Sequence, residues 1–250
     1  MTHLQFSSNQ NDENTLISCS LDKTIKLWDI RSGKSVKSEK TKTGCKNITF
    51  NSDSSVFAFS NKDDDMISFY DTRKFSLIKT KEFKNNISEF EFDKTNSVLL
   101  VTSYSGCLYV IDAQTFDKEP LAVIDAHFPA VNTISIEKSN KLFATGAADA
   151  LICIWDLEEM ICKKAIKNEE YPIRKVNFSY DARLIAAIYE GNNLDIFNVE
   201  IGDCVYSIPT ESAQYSIAWN PNSYILAYCG DDKSRSNLDG GNIHLLSINN

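Results

Sequence analysis

Residues 18–34 read SCSLDKTIKLWDIRSGK, and the fold turns on how this stretch is understood. It holds a Ser-x-x-Lys pair (Ser20, Lys23), a Trp-Asp pair (Trp28, Asp29) and a basic tail. A catalytic Ser-x-x-Lys needs a helix beneath it and partner motifs elsewhere, and neither is visible. The alternative is a part that recurs, and it does recur. Trp28-Asp29 closes the apolar run TIKLWD, as Tyr70-Asp71 closes MISFYD, Ile111-Asp112 closes CLYVID and Trp155-Asp156 closes LICIWD. Phe197-Asn198 in NLDIFN and Leu246-Ser247 in NIHLLS complete six copies, at intervals of 42, 41, 44, 42 and 49 residues. Self-similarity at such a period is the signature of a repeat architecture.

Each copy subdivides alike. In the second, CKNITF (45–50), VFAFS (56–60), MISFYD (66–71) and LIKTKEF (77–83) are β-rich runs parted by the turns NSDS and NKDDD. Val, Ile, Phe, Tyr and Thr dominate these runs, which predicts four strands per unit. The third run is apolar on both faces: at 151–155, Leu151, Cys153 and Trp155 point one way and Ile152 and Ile154 the other. Such a strand is covered on both sides. The fourth is polar, as in KSVKSEK (34–40). Covered inner strands and a wet outer strand describe a propeller blade. The expected blades are 1–40, 45–84, 86–124, 130–168, 172–209 and 213–250, within a single all-β domain spanning 1–250; five have four strands and the last has three.

The totals fit. The chain has 250 residues, 42% hydrophobic and 24% charged, ordinary for a globular protein. A net charge of −8 disfavours charge-driven binding to nucleic acid or an acidic membrane. The seven cysteines (19, 45, 107, 153, 162, 204, 229) form no C-x-x-C, and read as free, mostly buried thiols of a reducing compartment. The opening MTHLQFSSNQNDEN lacks the apolar core of a signal peptide, and no apolar run approaches a membrane span. There is no G-x-S-x-G, P-loop, G-x-G-x-x-G or H-E-x-x-H. Asp63-Asp64-Asp65 lacks the spacing of a calcium loop and reads as a solvated turn. The triplets at Asn47, Asn86 and Asn177 fall in or beside first strands, and read as coincidence within the repeat rather than glycosylation sites. No catalytic, metal or cofactor residues are therefore assigned.

The stretches LISCSLDKTIKLWDI (16–30) and FATGAADALICIWDL (143–157) resemble WD40 repeats. That resemblance implies a structural tetrad in the fourth unit of His127, Thr145, Asp149 and Trp155. A carboxylate orients an imidazole, which meets a hydroxyl, which meets an indole N–H. The first unit keeps Ser18, Asp22 and Trp28 without a histidine, and the second, third and fifth are expected to rely on apolar packing. Four longer stretches, 45–71, 141–164, 171–186 and 216–233, with the closing GGNIHLLSI, are similar to the subunit 3 family of the nuclear THO complex. This family resemblance implies seven blades, so the chain reads as an N-terminally shortened ring or one completed by a partner. It further implies a non-catalytic scaffold in THO/TREX, acting in messenger RNA processing and export. The partners implied are other THO/TREX protein subunits, with RNA reached indirectly, no membrane and no small-molecule substrate. Other readings are a chromatin or ubiquitin-ligase adaptor, a ligand binder or enzyme using a central channel, and direct RNA recognition. Lys34, Lys37, Lys40, Lys42 and Lys46 are the candidate contact for an acidic partner, against a polar strand and loop. The loop 230–241, polar and glycine-bearing, is expected to be mobile and a candidate to order on a partner.

Overall fold

The computed structural model describes residues 2–7, 14–62, 65–117, 119–167, 170–230 and 242–248. Among these residues every regular element is a strand. The first sheet holds β1 (His3–Phe6), β2 (Thr15–Cys19), β3 (Thr24–Asp29) and β4 (Lys34–Lys40). The second holds β5 (Cys45–Phe50), β6 (Val56–Asn61), β7 (Met66–Asp71) and β8 (Ser76–Glu82). The third holds β9 (Ile87–Phe92), β10 (Val98–Ser103), β11 (Cys107–Asp112) and β12 (Ala122–Asp125). The fourth holds β13 (Val131–Ile136), β14 (Leu142–Ala147), β15 (Ile152–Asp156) and β16 (Cys162–Ile166). The fifth holds β17 (Ile173–Phe178), β18 (Leu184–Tyr189), β19 (Asn193–Asn198) and β20 (Cys204–Pro209). The sixth holds β21 (Gln214–Trp219), β22 (Ile225–Gly230) and β23 (Ile243–Ser247). Within each sheet, neighbours in sequence are neighbours in space and run antiparallel. The strands gather into two compact units, Met1–Ser103 with Leu108–Ile124, and Tyr104–Cys107 with Asp125–Asn250.

Within each unit, apolar seams hold consecutive sheets together. In the first unit, Ile17, Ile25 and Leu27 of one sheet pack with Ile48, Phe57 and Phe59 of the next. In the second, Ile152 and Ile154 meet Ile173, Val176 and Ile185, and Ile188 and Leu194 meet Ile217 and Leu226. Each fully buried aliphatic or aromatic side chain contributes about 1.5–3 kcal/mol. The fourth strands are the exposed ones: Lys34, Ser35, Val36, Ser38 and Lys40 of β4 all face solvent.

Two turn devices repeat. After each of four first strands a polar side chain accepts the amide five residues on: Val56 N–H on Asn51 at 3.0 Å, Val98 on Asp93 at 2.8 Å, Leu142 on Glu137 at 3.2 Å and Leu184 on Ser179 at 3.0 Å. Each such turn passes through a left-handed residue, Ser54, Asn96, Asn140 or Ala182. The first strands also carry bulges, where Lys46, Asn132, Arg174 and Tyr215 are the extra residues. A bulge re-aims its side chain. Here it aims it at the following sheet: Lys46 Nζ donates to Ile87 O at 3.2 Å, Asn132 Nδ2 to Ile173 O at 2.8 Å, and Arg174 stands 4.7 Å from the Tyr215 ring centre.

The acidic pair Asp63-Asp64 and residues 231–241 lie outside the described residues. Of the seven free thiols, Cys19, Cys45 and Cys153 are buried, Cys107, Cys204 and Cys229 half-buried and Cys162 exposed, so the expectation of mostly buried thiols was too broad. Burial pushes the Cys19 thiol up to about 11 and raises Cys45 and Cys153 as well.

Candidate functional site

A connected row of polar side chains runs from Trp155 and Thr145 of the fourth sheet to His127 and Asp149. Thr145 lies in β14 with no exposure, and Trp155 lies opposite Phe143 in β15, stacked on it at 5.8 Å. The Trp155 indole N–H donates to Thr145 Oγ1 at 2.8 Å. Thr145 Oγ1 is 2.7 Å from His127 Nε2, and His127 Nδ1 is 2.9 Å from Asp149 Oδ2. One proton arrangement satisfies the whole row. The indole donates to the hydroxyl, the hydroxyl donates to a bare Nε2, and an Nδ1–H donates to the carboxylate. That arrangement uses a neutral imidazole; a protonated ring would make the Thr145 oxygen accept twice, from Trp155 and from Nε2, and leave its own O–H without an acceptor in the row. The electrostatics agree in direction. Burial, the larger influence, pushes His127 below its ordinary value, against the pull of the Asp149 charge and hydrogen bond. The imidazole has no exposed area, so the row lacks the open, substrate-accessible nucleophile of a catalytic triad.

Gly106 positions the His127 loop. Its carbonyl accepts both the Ala126 and His127 N–H groups, at 3.0 and 3.1 Å. Its φ of +91° suits glycine, and a Cβ there would fall 2.1 Å from the His127 carbonyl oxygen. Asp149 also caps its own turn, accepting the Leu151 N–H at 3.0 Å.

The first sheet keeps a shorter row. The Trp28 indole donates to Ser18 Oγ at 2.8 Å, with Lys26 5.4 Å from its ring centre. Asp22 turns to Thr24, accepting its N–H at 3.0 Å and its hydroxyl at 2.6 Å, which holds the carboxyl below its usual range. Ser20 and Lys23 belong to this same β2–β3 turn, and Lys23 is its left-handed residue. In the other sheets, apolar packing is not the whole account. Thr102 and Ser88 hydroxyls meet at 2.8 Å in the third, and Ser207 donates to the buried Asp195 at 2.6 Å in the fifth.

A family model for the WD domain, G-beta repeat, matches residues 2–29 and 118–156. THO complex subunit 3 of Arabidopsis thaliana is 33% identical over 221 residues, covering 88% of this chain and 69% of that protein. The chain belongs to the THO complex subunit 3 family of WD40-repeat proteins. Its six sheets are blades of the WD40 type. Broader similarity extends to WD repeat-containing protein AAC3 of Dictyostelium discoideum, 24% identical over 90% of this chain, and to the peroxisomal targeting signal 2 receptor of Schizosaccharomyces pombe, 26% over 76%. The chain spans 47% and 64% of those two relatives.

In this family member the five candidate contact lysines do not share one strand. Lys34 and Lys40 are exposed on β4, Lys42 is exposed in the following loop, and Lys46 is the half-buried bulge residue of β5. Lys37 reaches across the seam instead, donating to the carbonyls of Thr72 (3.5 Å) and Arg73. It is one of a series. Lys79 donates to Thr115 O at 2.9 Å, Lys81 to Asp117 O and Lys164 to Glu200 O. Lys37, Lys79 and Lys164 each stand nine residues after the aromatic that closes the third strand, and all four lysines meet a carbonyl 36 residues on. That fixed offset was available in the sequence as a signal for these cross-blade ties.

Proposed function

We propose that this chain is a non-catalytic docking subunit of a THO/TREX assembly, acting in the nucleus in messenger RNA processing and export. The observation that carries this reading is the 33% identity to THO complex subunit 3 across 88% of the chain. Supporting it, the His127 imidazole is enclosed, so the blades serve as a frame for exposed loops and strands, which suits recognition. The partners are the other THO/TREX protein subunits. RNA is reached through them, in keeping with the net charge of −8. The reading includes no cofactor, no small-molecule substrate and no membrane contact. It also takes the six blades as part of a seven-bladed ring. Ile243 and Leu245 of β23 are 76% and 73% exposed, an apolar face suited to a further blade.

A second reading, a WD40 adaptor of the ubiquitin-ligase type, draws on 20% identity to E3 ubiquitin-protein ligase COP1 of Arabidopsis thaliana over 78% of this chain and 29% of that protein. Affinity purification from nuclease-treated nuclear extract, read by mass spectrometry, separates the two. Recovery of THO subunits in near-equal amounts supports the first reading. A stable set of ligase components without THO subunits replaces it with the second.

A further inference from the structure

The turn between third and fourth strands carries a left-handed residue five places after the position that closes the third strand: Gly33, Phe75, Phe116, Met160 and Gly202. Where that residue is Phe, it fills a seam. Phe75 packs on the core between the first two sheets, 5.4 Å from the Phe57 ring, and the Lys37 ammonium stands 5.8 Å from its centre. Phe116 is buried against Phe69 of the preceding sheet, ring centres 3.9 Å apart. At the fifth sheet the same position is Gly202. Here the seam with the fourth sheet holds a cavity of about 660 Å³, lined by Leu142, Ile154 and Val199 and rimmed by Lys163, Lys164 and Arg183. A Cβ on Gly202 would stand 3.1 Å from Cδ of Lys164, the lysine that matches Lys37.

We propose that this cavity is a docking pocket for an acidic segment of a partner protein, which inserts one aromatic side chain where Phe75 and Phe116 stand in their own sheets. The charges at the pocket fit that occupant. Lys164 matches the lysine that lies over Phe75, and a cation over a ring face is favourable. The lining holds three cations against one carboxylate, Glu200. Lys163 is held at the rim by Asp156 at 2.5 Å, and Arg183 Nε stands 3.5 Å from Asp181. Arg183 is 78% exposed, so its outer nitrogens remain accessible to a carboxylate fork. The aliphatic lining takes the ring, and the rim takes the acidic residues beside it. The inference rests on the docking reading above and supplies the chemistry of one partner segment.

The test is fluorescence polarisation with the full chain and a short labelled peptide of Asp and Glu around one central Phe. Replacing that Phe by Ala, and separately introducing Arg183→Glu into the protein, should each weaken binding about tenfold. Gly202→Phe should fill the pocket and abolish binding; because a side chain at φ +90° strains the turn, the exposed Arg183→Glu keeps the test valid if that variant misfolds. Three results would overturn the proposal: no binding, equal binding of the Phe and Ala peptides, or an oligouridylate that binds more tightly and is lost with Arg183→Glu. The peptide tests the pocket and co-purification tests the assembly, so either can fail alone.

Discussion

Replacing Thr145 by Val keeps the shape of the side chain and removes its oxygen. Thr145 has no exposed area, so water cannot take the oxygen's place. Two bonds go at once, the 2.8 Å bond from Trp155 and the 2.7 Å bond to His127. Each is worth about 1 kcal/mol net, and a buried donor left without an acceptor costs about 1–3 kcal/mol more. Trp155 is only 5% exposed, so its N–H bears that penalty. These contributions put the expected loss at about 3 kcal/mol or more. With a urea slope of about 3 kcal/mol/M for a chain of this size, the midpoint should fall by about 1 M. Thr145→Ser retains the hydroxyl and should lose about 1 kcal/mol or less. Equilibrium urea unfolding followed by tryptophan fluorescence reads both. A Val variant within about 0.5 kcal/mol of the parent, or a Ser variant as weak as the Val one, would refute the reasoning that the row is a fully satisfied, load-sharing network.

Three further outcomes follow from the same geometry. The folded state holds His127 below the unfolded value of about 6.5, so its contribution is present above that pH and is lost as pH falls through the depressed folded value; the urea midpoint of the parent should drop more steeply than that of His127→Gln between about pH 7 and 5. Glu137 is buried, which alone would raise its pKa, but hydrogen bonds from Ser139 and from the Lys141, Ser139 and Leu142 amides outweigh this and hold it below 4.5. Glu137→Gln should therefore cost about 1–2 kcal/mol at neutral pH and flatten the acid side of the stability profile, where the native carboxylate loses its advantage on protonation. Gly106→Ala should destabilise by about 2 kcal/mol or more, since it combines a left-handed backbone with a collision on the His127 carbonyl, and a thermal melt should show the loss.

The blades were legible because each strand announces itself twice, by its apolar pattern and by the polar turn that ends it. β4 and β5 coincide with the sequence reading at Lys34–Lys40 and Cys45–Phe50. The fourth-blade row is expected from the resemblance to WD40 repeats, and the structure sets His127, Thr145, Asp149 and Trp155 within hydrogen-bond distance of their neighbours in the row. What stayed hidden was tertiary. A run of lysines reads as a solvated strand until its spacing from the strand-closing aromatic is compared between blades, and nothing local says that Lys46 sits in a bulge. Phe75 and Phe116 are harder still. Bulky residues avoid positive φ, so propensity argues against them in a tight turn. Their rings are held by packing on neighbouring sheets, which outweighs the local cost. The pocket at Gly202 is legible only after those two phenylalanines have been seen in place.

The ties from Lys37, Lys79 and Lys164 make the sheet an incomplete unit of exchange. A blade cut out at its own loops leaves behind the carbonyl that its lysine grips, and arrives elsewhere carrying a turn that its former neighbour used to hold. The portable segment is staggered: it begins at the lysine of one fourth strand and ends 36 residues later at the turn that lysine clasps. Shuffling repeats within this family along that staggered boundary should preserve both ends of these clasps, whereas cutting at the loops between the first and second, second and third, or fourth and fifth blades separates a lysine from its carbonyl.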